Sequence, residues 1–154
     1  MERNKIDFLQ SEYSTLLQKL DEHTKPLFGK MNVLQMIEHM SDAFRQASGL
    51  IPQEALHNEA ITQKMYQFMM SDKPFKDNTP NPNLPEEPLA VKSASKEEAI
   101  HTLQKDIQFF INTFKEDKDK RILNPFFGNL NQEEWIHLLH KHAWHHLRQF
   151  NINP

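Results

Sequence analysis

The stretch "WIHLLHKHAWHHLRQF", residues 135–150, contains five of the nine histidines of the chain. They alternate with leucine, alanine and tryptophan at spacings of three and four, which predicts an amphipathic helix and not a contiguous purification tag. His142 and His146 are four residues apart, so their side chains lie on one helix face and can bind a single ion. The predicted inward stripe comprises Trp135, Leu138, Leu139, His142, His146 and Gln149.

Composition narrows the class of protein. The chain has 154 residues, of which 38% are hydrophobic and 25% charged, and this predicts one globular domain over residues 1–154. A net charge of -3 and no basic block between aromatics argue against a nucleic-acid partner. We expect neither a membrane span nor a signal peptide, because long apolar runs are missing. The chain has no cysteine, which excludes disulfides, zinc–thiolate sites and a cysteine nucleophile and favours a cytoplasmic location.

The first part of the chain has three helical patterns. Residues 5–22 carry apolar side chains at spacings of three and four, as in an amphipathic helix. A second helix is predicted to begin after Asn32, a good N-cap with Gln35 three residues later, and to end at Gly49. A weaker helical pattern covers about residues 54–70.

Two further helices are predicted in the second part of the chain. Ser95 and Glu98 form a capping-box pattern at the start of a long helix that continues to about Lys118. Asn131 is a predicted N-cap for the last helix, which extends to about Phe150. No alternating β pattern is visible.

A proline-rich stretch separates these two groups of helices. Residues 74–88 contain five of the nine prolines, and proline is incompatible with a helix interior or a central strand. An ordered surface crossover is favoured over a disordered linker. The fold class predicted from these patterns is all-α, a four-helix bundle with a long crossover between the second and third long helices.

His39 lies on the apolar side of the second predicted helix, beside Met36 and Met40. A histidine there is costly unless it is hydrogen-bonded or binds a metal. A satisfied core histidine is one interpretation. The other is a facial three-histidine metal site with His142 and His146, because bundle cores build metal sites from side chains on facing helices.

The remaining candidates are weaker. His145 is a candidate second ligand-shell or pocket residue and a weak candidate for the catalytic base, followed by Glu38 and Glu134. His137 and His140 are predicted to face solvent. Phenylalanines and a tryptophan are expected either in the core or on a pocket wall: Phe126, Phe127 and Trp135. No partner is visible in the sequence for His23, His57 and His101.

The segment "NVLQMIEHMSDAF" followed far downstream by "HAWHH" resembles the DinB-like superfamily of metal-binding four-helix bundles. The C-terminal "NPFFGNLNQEEW" and "HKHAWHHLRQF" are similar to an uncharacterised branch of it, a domain of unknown function. The resemblance implies that His39, His142 and His146 hold the metal. The superfamily commonly ends in HxxHHRGQ, whereas Leu147 and Arg148 replace the arginine–glycine step here, which changes the expected pocket floor.

The resemblance also implies a chemistry. Three neutral imidazoles leave open positions on a divalent ion, which lowers the pKa of a bound water to around 7 or holds a thiolate. We expect zinc or nickel, with iron also compatible. The resemblance implies a small-molecule substrate. Transfer from a low-molecular-weight thiol is expected slightly ahead of hydrolysis. A homodimer is also compatible with the resemblance.

Two alternative functions are compatible with the same residues. A non-catalytic metal-binding helical protein, such as a stress-response or dimerisation module, would have protein side chains in the open positions of the ion. A histidine network in the core would bind no metal at all. The enzyme hypothesis predicts an accessible pocket at the three histidines.

Overall fold

Three consecutive helical segments form the first helix, α1: Glu2–Asp7, the π-helical Phe8–Glu12 and Tyr13–Lys19. The structure is a computed structural model and describes residues 2–77 and 87–154. Phe8 and Leu9 of the π-helical segment and Tyr13 directly after it are all buried. The helix ends three residues before the predicted boundary at residue 22.

Helix α2, Val33–Ala47, begins as the sequence predicts. The Asn32 side chain accepts a hydrogen bond from the Gln35 N–H at 2.8 Å, and the Gln35 side chain accepts one from the Asn32 N–H at 2.9 Å. This reciprocal capping box satisfies two backbone donors that a helix start leaves without partners. Helix α3, Glu59–Met70, is capped by Asn58 and begins later than residue 54.

Helix α4, Lys96–Thr113, begins at Ser95, whose hydroxyl accepts a hydrogen bond from the Glu98 N–H at 3.1 Å. It ends five residues before the predicted boundary at Lys118. Helix α5, Gln132–Gln149, begins at a complete capping box between Asn131 and Glu134.

A short antiparallel hairpin precedes α5 and was not predicted. Strand β1, Ile122–Asn124, pairs with β2, Gly128–Leu130, and Leu123 lies opposite Asn129. The Asn124 side chain accepts hydrogen bonds from the N–H groups of Phe126 and Phe127 at 2.8 and 3.1 Å, which closes the turn. The all-helical prediction therefore missed this sheet, because each strand has only three residues and no alternating pattern.

The described residues are 56% helical, and the helices pack around one apolar core. Helix α5 contacts α1 on one side and α2 and α3 on the other, while α2 packs along α4. Part of the predicted crossover segment 74–88 lies outside the described residues. Over residues 2–77 and 87–154, no helix has the length and apolar character needed to span a membrane.

Candidate metal centre

Three imidazole rings from two helices converge between α2 and α5. The Nε2 atom of His142 lies 3.1 Å from Nε2 of His39 and 3.0 Å from Nε2 of His146. One nitrogen from each ring can be chosen so that all three lie within 4.8 Å of one another. Two nitrogens that share an ion through bonds of about 2.0–2.1 Å lie at comparable separations. The donor set therefore fits a divalent transition metal.

Gln149 determines which nitrogen of His146 faces the centre. Its amide nitrogen donates to the Phe28 carbonyl at 2.9 Å, so its Oε1 is the atom that lies 2.8 Å from Nδ1 of His146. An oxygen acceptor there requires a proton on Nδ1. Nε2 of His146 is then unprotonated, with its lone pair directed at the other two rings.

Hydrogen bonding among the neutral rings cannot satisfy both short contacts of His142. If its Nε2 carries a proton, it can donate to His146, but it has no lone pair left for His39. If its Nε2 is unprotonated, it can accept from His39, and two lone pairs then oppose each other at the 3.0 Å contact with His146. A shared cation would be compatible with a lone pair on each of the three nitrogens.

The protein environment keeps the three rings neutral. Burial, followed by the charge of His145, lowers the pKa of His39 to about 4. Burial is also the main cause that lowers the pKa of His142 and His146 well below the usual histidine value, and the neighbouring histidines add to it. Neutral imidazole is the form that binds a metal. Near pH 7 the centre therefore has three ligands ready without loss of a proton.

A cavity of about 1560 Å³ borders the centre, and all three histidines are on its wall. Phe126, Phe127 and Trp135 also line it. Trp135 and Phe127 are buried as well, so they belong to both the core and the cavity wall. Within the described part of the chain the three histidines therefore border a cavity, as the enzyme hypothesis requires.

His145 lies on the cavity wall, next to the ligands. Its ring centroid is 5.0 Å from that of His146 and 5.2 Å from that of Phe28. Burial, and then the positive charge of Arg148, lowers its pKa. A neutral imidazole at this position can accept a proton from a molecule in the cavity.

The two carboxylates considered as bases have other partners. Glu38 lines the cavity, but its carboxylate accepts hydrogen bonds from the hydroxyl and N–H of Ser93 at 2.6 and 2.7 Å and from the N–H of Lys92. Burial alone would raise the pKa of Glu38, but these hydrogen bonds hold it below its usual value. Glu134 caps α5 and accepts hydrogen bonds from Tyr66 and Arg121, away from the cavity wall.

The prediction that His137 and His140 face solvent is wrong for His137 and only partly right for His140. His137 is 8% exposed and lies beside the Lys5 ammonium group, while His140 is half-buried. Both lie under α1, which covers this face of α5. The other histidines, His23, His57 and His101, are exposed.

Gln149 lies on the inward stripe predicted from the sequence, but no role was predicted for it. Its spacing of three residues from His146 is the signal that could have indicated a hydrogen bond within one helix turn. Its contact with Phe28 could not be foreseen, because Phe28 lies in the loop between α1 and α2.

Comparison with known proteins agrees with this architecture. The family model described as the DinB superfamily matches residues 6–150, so the chain belongs to the DinB superfamily. The resemblance seen in the sequence is therefore confirmed. No curated protein and no solved structure matches the chain.

Proposed function

We propose that this protein is a metal-dependent enzyme that acts on a small molecule. In this proposal α1, α2, α4 and α5 form the four-helix bundle of the DinB superfamily. His39, His142 and His146 hold one divalent transition metal. Imidazole suits zinc, nickel and iron, and zinc and nickel come ahead of iron because no sulfur or carboxylate ligand joins the cluster among the described residues.

The observation that carries the proposal is the conflict among the three Nε2 atoms at the edge of a cavity. Neutral rings cannot satisfy both His142 contacts by hydrogen bonding, while a common cation can. The cavity of about 1560 Å³ leaves room for a reactant beside that cation. A non-catalytic metal site would instead have its open side filled by side chains.

Transfer of a thiol to an electrophilic small molecule is the favoured reaction, ahead of hydrolysis. A bound divalent ion supplies a Lewis acid that favours the thiolate of an external thiol or lowers the pKa of a water to around 7. The chain has no cysteine, so the nucleophile comes from outside it. As the sulfur–carbon bond forms, the leaving group departs with its electron pair.

His145 is the residue that we assign to proton transfer. Its lowered pKa keeps it neutral near pH 7, and it lines the same cavity as the ligands. It can accept the proton that the thiol or water releases. Glu38 holds the backbone at Lys92 and Ser93 instead, since its carboxylate is already hydrogen-bonded there.

Elemental analysis of untagged protein tests the proposal, with wild type compared with His142→Ala. We expect about one equivalent of a transition metal in the wild type and its loss in the variant. Loss of free thiol with small electrophiles is then measured for the loaded wild type. Absence of metal from both proteins, even after reloading with zinc or nickel, would overturn the metal site and the enzyme hypothesis together.

A further inference from the structure

A group of phenylalanine rings lines the cavity next to the three histidines. We refer to Phe28, Phe68, Phe75, Phe126 and Phe127 as the aromatic wall. Phe75 is its central member, because its ring contacts both the metal centre and two other rings of the wall. Its centroid lies 6.3 Å from that of His142 and 6.0 Å from that of His145, in both cases edge-on at 90°.

Four rings of the aromatic wall are also in contact with one another: Phe68, Phe75, Phe126 and Phe127. Phe75 is 6.5 Å from Phe127 in a stacked arrangement and 6.0 Å from Phe68 in a tilted one. Phe126 lies 6.0 Å from Phe127. The wall therefore continues from the hairpin and α3 to the edge of the metal centre.

Two basic residues of α5 hold Phe75 in this position. The Lys141 ammonium group donates to the carbonyls of Lys73, Ser71 and Phe68 at 2.6, 2.9 and 3.2 Å. The Arg148 guanidinium group lies 3.5 Å from the Phe75 carbonyl. The backbone before Phe75 and the carbonyl of Phe75 itself are thereby tied to the helix that carries His142 and His146.

Much of the aromatic wall is not covered by the protein core. Phe28, Phe75 and Phe126 are half-buried, and Phe68 is 37% exposed. Apolar surface of this kind inside a concave pocket is typical of a ligand-binding site. Ring faces and edges accommodate a flat group best, since aromatic pairs favour offset-stacked and edge-to-face packing.

We propose that the aromatic wall is a subsite for a planar, apolar substituent, such as an aryl ring, on the small molecule that reacts at the metal centre. This inference rests on the proposed function and adds the substrate class. The ring of the substrate packs against Phe75, and its reactive group lies at the three histidines. Phe75 is thus a specificity-determining residue.

Three hydroxamates test the subsite, because they share one metal-binding group and differ only in the substituent. Acetohydroxamate has a methyl group, cyclohexanecarbohydroxamate a saturated ring and benzohydroxamate a planar ring. Binding to zinc-loaded protein is measured by calorimetry. For the wild type we expect benzohydroxamate to bind about tenfold more tightly than acetohydroxamate and several-fold more tightly than the saturated analogue.

Phe75→Leu is the decisive variant, and Phe109→Leu is its control. Phe109 is 48% exposed on α4 and does not line the cavity. Phe75→Leu should reduce the preference for benzohydroxamate over acetohydroxamate to about threefold or less. Phe109→Leu should leave both affinities as in the wild type.

The possible failures are distinguishable. Equal binding of the three probes, or an unchanged preference in Phe75→Leu, would overturn the subsite while the metal centre stands. Failure of all three probes to bind protein that contains one equivalent of zinc would overturn the open metal site, and the subsite with it.

Discussion

Helix α5 carries two groups of buried or half-buried histidines on different faces, and only one has the geometry of a binding site. On the face toward α2, His142 and His146 meet His39, with Nε2 contacts of 3.0 and 3.1 Å. On the face toward α1, His137 and His140 pack among other side chains. Burial lowers the pKa of His39 and of His140 to about 4 alike.

The difference lies in what surrounds each group. The His140 ring is 5.3 Å from the Phe8 ring and 5.0 Å from that of Trp144, and His137 accepts a hydrogen bond from the Lys5 ammonium group. The His140 ring packs against aromatic side chains, and His137 already has the Lys5 cation beside it. A depressed pKa therefore reports burial, while converging lone pairs beside a cavity indicate a metal site.

The largest effect should appear when His39, which meets one α5 group, is compared with His140, a member of the other. His39→Ala should weaken zinc affinity by more than about a hundredfold. About a hundredfold is the largest loss typical of changes to residues that only support the ligands, and His39 is proposed as a ligand itself. His140→Ala should retain wild-type affinity, because it does not contact the three ligands. Zinc titration against a competing chelator measures both. Equal loss in the two variants would remove the distinction between the faces.

Gln149 should have the next largest effect. Gln149→Leu removes the acceptor for Nδ1 of His146, and we expect zinc affinity to fall by about ten- to a hundredfold. Gln149→Glu keeps an acceptor there but loses the donor to the Phe28 carbonyl, so it should bind zinc and unfold at lower urea. Equal loss of zinc affinity in both variants would contradict the role of the Gln149 oxygen as the acceptor for His146.

The free energy of unfolding of the metal-free protein should depend on pH because of His39 on one side of α5 and His140 on the other. The folded-state pKa of about 4 for His39 and for His140 lies below the unfolded value of 6.5, so the unfolded chain binds more protons between these limits. Stability is therefore complete above pH 6.5 and falls as pH drops toward 4.

Urea unfolding at pH 7 and pH 4.5 measures this dependence. The drop between the two pH values should be smaller in His39→Leu and in His140→Phe than in the wild type, since each variant removes one buried titrating ring. Carboxylates contribute equally in all three proteins. A drop of wild-type size in both variants would contradict the assigned pKa shifts.

Two glycines provide the smallest and most selective test. Gly29 and Gly49 have φ values of +74° and +81°, so alanine at either position should cost about 1 kcal/mol of stability. A Cβ on Gly29 would lie 2.9 Å from the Gln149 amide nitrogen, whereas one on Gly49 meets only Ile122 at 3.8 Å. Gly29→Ala alone should lower zinc affinity, by a few-fold; an equal change in Gly49→Ala would exclude a role for the Gln149 contact.

The positions of the helices could be predicted where capping residues mark their ends. Asn32 with Gln35 and Asn131 with Glu134 form the capping boxes that start α2 and α5. The end of α4 was predicted too late, because the charged residues after Thr113 contain no glycine or proline to mark a stop. The hairpin was missed because its strands are held by the Asn124 turn and core contacts instead of a periodic pattern.

The convergence of His39, His142 and His146 agrees with the face predicted from helical spacing, and metal binding by them stays a prediction. The burial of His137 could not be predicted, since periodicity shows which residues share a face but not that α1 covers it. Phe126 and Phe127 were predicted for the core or a pocket wall, and both line the cavity. The place of Phe75 could not be predicted, because it reaches His142 only through the path of the loop after α3.

His39 and His142 are separated by 103 positions in the chain, so the centre cannot form from a local segment. The two helices must pack before their imidazoles meet, and loop closure over this distance precedes any contribution from the ion. A bound metal should therefore act late in folding. It should slow unfolding while leaving the folding rate nearly unchanged, so that its removal shortens the lifetime of the native state.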